Sequence, residues 1–196
     1  MDASESRDEG PQMSPRFALL DRDGTVVIDK VYLSDPAGLE FAPGVIEGLR
    51  LMRDAGLRFI MITNQSGVAR GYFDEETLTR IHRRLREMLT EEGIDLEAIY
   101  YCPHGPSDGC RCRKPEPGLV LDAMADFGFS PAEAVLIGDS EADMGAAAAT
   151  GVTGIRVAPP DAGAIDAPDV APDFFVAARR AIDYFESRQA KHRSCT

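Results

Sequence analysis

Short apolar runs, each stopping at a polar or acidic residue and separated by helix-patterned stretches, constrain this chain more than any other feature. Phe17-Ala-Leu-Leu-Asp21 is the first, followed by Phe59-Ile-Met-Ile-Thr63, Ala98-Ile-Tyr-Tyr-Cys102, Ala134-Val-Leu-Ile-Gly138 with Asp139 next, and Gly154-Ile-Arg-Val157. Continuous rather than alternating hydrophobicity is the mark of a strand buried on both faces. Between the runs, Pro43-Gly44 opens an amphipathic helix carrying Val45, Leu49 and Met52 and ending near Gly56. Asp74 caps a long charged helix whose inner face is Leu78, Ile81, Leu85, Met88 and Leu89. Helices are also expected over 117–127, 143–150 and 173–189, with a Pro/Ala/Asp-rich loop over 158–172. Strands alternating with helices require a parallel sheet covered on both sides.

A chain of 196 residues, 44% hydrophobic, suffices for one well-buried core. The expected organisation is a disordered tail at 1–15, one domain over 16–190, and a second tail at 191–196. A net charge of −12 argues against non-specific binding to nucleic acid, which needs a basic footprint. No apolar run approaches the ~20 residues of a membrane span. The polar N-terminus lacks the core of a secretory signal, so a cytoplasmic protein is expected.

In open α/β sheets, ligands bind beyond the carboxyl ends of the strands. Asp21, Asp23, Thr63, Asp139 and Asp143 all fall there. Singly, each has an ordinary reading as a cap, turn or strand-end residue. Converging, the acids would repel one another without a cation, and oxygen ligands suit Mg²⁺ beside a phosphate. Asp21 can act as a carboxylate nucleophile, and Asp23 can protonate a leaving oxygen and later activate water. Gly24 allows close approach of the chain, while Thr63 and Lys114 can serve the phosphoryl oxygens.

Three of the four cysteines cluster with a histidine: Cys102-Pro-His104, five residues, then Cys110-Arg-Cys112. Three thiolates and an imidazole complete a tetrahedral zinc site with no open position, so its role would be structural. Zinc would then position the adjoining Arg113 and Lys114. His82, His192 and Cys195 are read as surface residues without a role.

Asp21-Arg-Asp-Gly-Thr25, Thr63-Asn64, Lys114-Pro115 and Gly138-Asp-Ser-Glu-Ala-Asp143 resemble the four ordered motifs of the haloacid dehalogenase superfamily of phosphatases. The resemblance covers Arg16 to about Val157. It implies a doubly wound (Rossmann-like) α/β fold with a mainly parallel sheet of about five or six strands and helices on both faces. It also implies Asp21 as nucleophile, Asp23 as general acid/base, and Thr63 and Lys114 on the phosphoryl group. Asp21, the Asp23 carbonyl and Asp139 would hold Mg²⁺, with Asp143 in support. Neither interval between the motifs leaves room for a separate cap domain, so an open site is expected, serving a small phosphorylated metabolite as a monomer.

Within that superfamily the zinc loop resembles two branches, the heptose-bisphosphate 7-phosphatases and the histidinol-phosphate phosphatases. The segment Thr63-Asn-Gln-Ser-Gly-Val-Ala-Arg-Gly71, with Tyr100 to His104, is similar to the heptose branch. Asp29, Lys30, Val31, Tyr32, Asn64, Gln65, Ser66 and Arg113 would line the sugar side, with Arg113 and Ser140 near a second phosphate. The five-residue spacing inside the zinc loop is similar to the histidinol branch, which stays open as the alternative. A zinc-stabilised phospho-ligand binding module without activity is the third reading.

Overall fold

In the computed structural model, residues 15–158 and 169–193 are described, with side chains to 190. Cys195, most of the expected N-terminal tail and much of the 158–172 loop lie outside them, as does the side chain of His192. The described residues form β1 (Arg16–Leu20), α1 (Val45–Asp54), β2 (Leu57–Asn64), α2 (Glu75–Glu91), β3 (Leu96–Cys102), α3 (Gly118–Phe127), β4 (Ala134–Gly138), α4 (Glu141–Thr150), β5 (Thr153–Val157), β6 (Val170–Ala171) and α5 (Phe174–Arg193). The helix expected to end at Gln189 therefore continues to Arg193. The stretch read as a loop contains β6, whose two residues are too few to show a period.

All strands are parallel, in the order β3-β2-β1-β4-β5-β6. Side-chain alternation along each strand feeds two cores. Ala18 and Leu20 of β1 point to one face with Val45, Leu49, Ile81, Leu85, Phe174 and Ala178, which places α1, α2 and α5 there. Phe17 and Leu19 point to the other with Leu119, Val120, Ala146 and Ala147, which places α3 and α4 there. This is the expected doubly wound arrangement. Apart from one 3₁₀ turn at Pro36–Gly38, the segment between β1 and α1 is a loop. The stretch between β3 and α3 carries only turns and bends, so no separate cap domain is present among the described residues.

The strand order reverses at β1, with β2 and β3 to one side and β4 onwards to the other. That reversal opens a crevice beyond the carboxyl ends of β1 and β4. Asp21 follows β1 and donates its N–H to the Ile137 carbonyl at 2.9 Å, extending the ladder. Asp139 follows β4, so the topology alone sets the two acids side by side.

Candidate active site

Asp21, Asp139 and Asp143 each offer a carboxylate oxygen within 4.8 Å of the others. Asp143 lies on the first turn of α4, where it completes a capping box with Ser140, and is fully buried. Its place depends on Gly138, where a Cβ would come within 2.3 Å of the Asp143 Cγ. Gly24 has φ +77°, and a Cβ there would meet Asp139 Oδ2 at 2.4 Å. The bend after β1 therefore needs glycine both for its conformation and for space.

Lys114 reaches this cluster from the loop before α3 and is only 3% exposed. Its Nζ donates to Asp21 Oδ1 at 2.7 Å and to the Ile62 carbonyl at 2.7 Å, and it lies 2.5 Å from Asp143 Oδ1. Burial works against the ammonium, but Asp21 and Asp143 outweigh it and raise the lysine pKa. Burial, opposed by Lys114 and reinforced by Asp143 and Asp23, pushes the Asp21 carboxyl up to about 7. Burial and Asp143 likewise raise Asp139. Three crowded carboxylates around one ammonium form a donor set that fits a hard divalent cation, whose charge would hold Asp21 ionised.

The backbone of Lys114 is gripped by Asn64, which accepts from Lys114 N–H and donates to its carbonyl, both at 3.0 Å. The chain just before it carries Cys102, His104, Cys110 and Cys112, whose donor atoms also lie within 4.8 Å of one another. Neighbouring donors are 3.1 Å (Cys112–Cys102), 3.2 Å (His104–Cys112) and 3.6 Å (Cys102–Cys110 and Cys102–His104) apart. Zn–S bonds of about 2.3 Å in a tetrahedron give edges of roughly 3.8 Å, so the cage needs little expansion to take zinc. Arg113 donates to the His104 carbonyl at 3.3 Å, tying the loop to itself.

Beside the carboxylates opens a cleft of about 240 Å³ lined by Arg22, Asp23, Asp29, Val31, Tyr32, Leu33, Asn64, Gln65, Ser66 and Gly67. Most residues expected on the sugar side are therefore brought together. Lys30 pairs with Glu40 at 3.1 Å, and neither it nor Arg113 nor Ser140 is among the lining residues. Ser140 instead caps α4, its hydroxyl donating to Asp143 Oδ2 at 2.5 Å. Val31 and Tyr32 take left-handed backbone at φ 46° and 61°, and Asp29 Oδ1 accepts the Val31 N–H at 2.9 Å. The Tyr32 ring packs at a tilt against Tyr72, centroids 4.5 Å apart, with Arg70 5.8 Å from its centre.

Two residues, one in the wall of the cleft and one behind it, escaped the sequence reading. Arg22, between the two acids of the first motif, is 1% exposed. It reaches His82, which is buried on α2 rather than on the surface as expected. The helical spacing held a signal for this, because position 82 lies four residues beyond Leu78 and three before Leu85 on the same inward face.

The HAD-hydrolase-like family model matches residues 111–179. A D-glycero-beta-D-manno-heptose-1,7-bisphosphate 7-phosphatase of Photorhabdus laumondii is 41% identical over 135 residues, covering 65% of this chain and 72% of the relative. The chain belongs to the haloacid dehalogenase-like phosphatases. Another such phosphatase, from Pseudomonas aeruginosa, is 41% identical over 138 residues, covering 70% of this chain and 78% of that one. Among solved structures, the D,D-heptose 1,7-bisphosphate phosphatase of B. bronchiseptica, complexed with magnesium and phosphate, superposes with a TM-score of 0.77 at 33% identity. That match covers 86% of this chain and 98% of the other.

Proposed function

We propose that this chain is a Mg²⁺-dependent phosphomonoesterase that removes the 7-phosphate of D-glycero-D-manno-heptose 1,7-bisphosphate. The observation that carries the reading is the buried Asp21 carboxylate held by Lys114 beside Asp139 and Asp143, at the mouth of a cleft lined by the segment 64–67. An Asp21 oxygen attacks phosphorus while the ester P–O bond breaks, and Asp23 delivers a proton to the leaving oxygen. Water then attacks the aspartyl-phosphate, Asp23 takes its proton, and phosphate leaves with Asp21 restored. Lys114 steadies the phosphoryl oxygens, and the Thr63 hydroxyl donates to one of them. Mg²⁺ on Asp21, Asp139, Asp143 and the Asp23 carbonyl would neutralise charge on the transferring group.

The cysteine–histidine cage holds a structural zinc that fixes the loop delivering Lys114. Arg113 turns its guanidinium to the second phosphate once substrate enters, its planar fork matching that anion. A cytoplasmic monomer suits this assignment. Beyond the rim of the cleft, the large exposed apolar side chains Leu51, Leu121 and Phe175 sit on three different helices.

The deciding experiment compares kcat/KM on heptose 1,7-bisphosphate and histidinol phosphate with Mg²⁺ present. The heptose substrate should be preferred by at least about tenfold, the discrimination that a set of polar contacts to substrate hydroxyls readily supplies. Preference for histidinol phosphate would move the chain to the other branch. No phosphate release from either would leave a binding module.

A further inference from the structure

The carboxylate of Asp23 is gripped far more heavily on one oxygen than on the other. Oδ2 takes Arg22 Nη2 at 2.8 Å, Gln65 Nε2 at 2.8 Å, and a share of Arg22 Nε at 3.1 Å. Oδ1 has only the other share of Nε, at 3.1 Å. Gln65 is buried and uses every polar atom of its side chain: Nε2 also donates to Thr63 Oγ1 at 2.8 Å, and Oε1 accepts from Arg22 Nη2 at 2.8 Å. Turning the amide over would set its oxygen against the carboxylate and its NH₂ against the Arg22 guanidinium, so the donors are assigned by chemistry. Because Thr63 accepts from Gln65, its own hydroxyl hydrogen is left for another acceptor. On the far side, Arg22 Nη1 lies 3.3 Å from His82 Nε2.

An arginine can only donate, so His82 Nε2 must be the acceptor and the ring neutral. Burial, with the Arg22 charge next in weight, pushes the His82 pKa down to about 3, consistent with that state. The guanidinium is thus fixed at three corners, by Asp23, Gln65 and His82.

We infer that Arg22, Gln65 and His82 are positioning residues that clamp Oδ2 of Asp23, leaving Oδ1 as the oxygen that carries the proton to the leaving group and takes it back from water. A proton on Oδ2 would compete with two N–H donors and the Arg22 Nη2 charge, whereas one on Oδ1 competes with a single shared N–H, and the Asp23 side chain is 27% exposed in the wall of the cleft. The inference rests on the reading of Asp23 as the proton-transfer group. It adds that a histidine outside the cleft, on α2, governs that group through the arginine.

The test uses heptose 1,7-bisphosphate, whose alkoxide leaving group needs a proton, and p-nitrophenyl phosphate, whose leaving group does not. His82→Phe keeps a ring in the site but removes the acceptor for Arg22. It should lower kcat on the bisphosphate about tenfold, a fraction of a general acid's full effect, with KM within about twofold and p-nitrophenyl phosphate reduced less than about threefold. His82→Gln, which restores an acceptor, should recover most of the lost kcat. Equal losses on both substrates, or indistinguishable Phe and Gln variants, would overturn the clamp. If the Phe variant does not melt cooperatively, Gln65→Met carries the same comparison, and a loss independent of leaving group rejects the clamp. Asp23→Asn serves as the reference. If that variant shows no leaving-group dependence, the acid–base reading fails and the clamp with it. If it does while the others do not, the clamp alone fails.

Discussion

The buried state of His82 has a measurable consequence for stability against pH. In the unfolded chain the imidazole titrates near its ordinary value of about 6.5. In the folded protein burial and Arg22 hold it near 3. Above about pH 7 the ring is neutral in both states and contributes no pH dependence. As pH falls through 6.5 the unfolded chain binds a proton that the folded one refuses, so stability is lost with acidification until the folded group titrates near 3. The slope is about 1.4 kcal/mol per pH unit, so between pH 8 and pH 5 this one residue removes about 2 kcal/mol. At pH 5 the value is insensitive to the folded pKa, provided that pKa stays well below 5.

His82→Gln keeps a side chain able to accept from Arg22 and deletes the titration. Urea unfolding of both proteins at pH 8 and pH 5, at equal metal content, isolates the effect as a difference of differences. Other titrating groups, Asp21 among them, are common to both chains and cancel to first order. The wild type should lose about 2 kcal/mol more than the variant over that interval. Equal pH dependence in the two proteins would refute the burial of a neutral His82. So would a titration midpoint for its ring resonances near 6.5.

Three further outcomes follow from the site. Lys114→Met strips the ammonium from two buried acids and should cost about 3–5 kcal/mol in denaturant unfolding without added Mg²⁺, with loss of turnover; unchanged stability would refute the buried pairing. Gly24→Ala forces a Cβ against Asp139 Oδ2 at a left-handed position, so the Mg²⁺ concentration for half-maximal activity should rise several-fold over wild type; an unchanged value would show that the cluster is not built as described. Cys110→Ser should purify without stoichiometric zinc, measured by elemental analysis, and with a lowered melting temperature. Full activity in a zinc-free variant would remove the positioning role from the loop.

What could be read from the chain follows from the physics of each element. Strands β1, β2 and β4 are buried on both faces, so their runs are continuous and their polar ends stand out. The catalytic acids were legible because the same strand ends carry them. Helix α4 begins at Glu141, two residues before the expected Asp143, because Ser140 caps it through a reciprocal bond with Asp143. That also explains why Ser140 is spent on the helix rather than presented to a phosphate. Arg22 was hidden for a different reason. An arginine between two acids reads as a solvated turn, and its burial is made tolerable by the ion pair with Asp23 together with the long-range approach of Gln65 and His82. Asn64 similarly reads as a sugar contact, although its amide holds the Lys114 backbone.

The charge balance at the site bears on why such an acidic chain can handle a phosphate. Among the described residues, the carboxylates of Asp21, Asp23, Asp139 and Asp143 form ion pairs with Lys114 and Arg22 alone, Lys114 with Asp21 and Asp143 and Arg22 with Asp23. A phosphoryl dianion approaching this group meets a surplus of negative charge that no other cation among the residues lining the cleft offsets. A divalent ion, if held by Asp21, Asp139 and Asp143, would remove that surplus, leaving Lys114 able to turn part of its charge to the substrate. The arginine has no such freedom, because its three contacts lie behind the cleft and on Asp23. On the proposed mechanism the two buried cations divide the labour: Lys114 shares its charge between Asp21 and the phosphate, while Arg22 holds Asp23, the acid that would change protonation twice per turnover. On this argument an arginine at position 114 would not substitute for the lysine, since a planar fork cannot converge on Asp21, Asp143 and the Ile62 carbonyl as the three donors of one ammonium do.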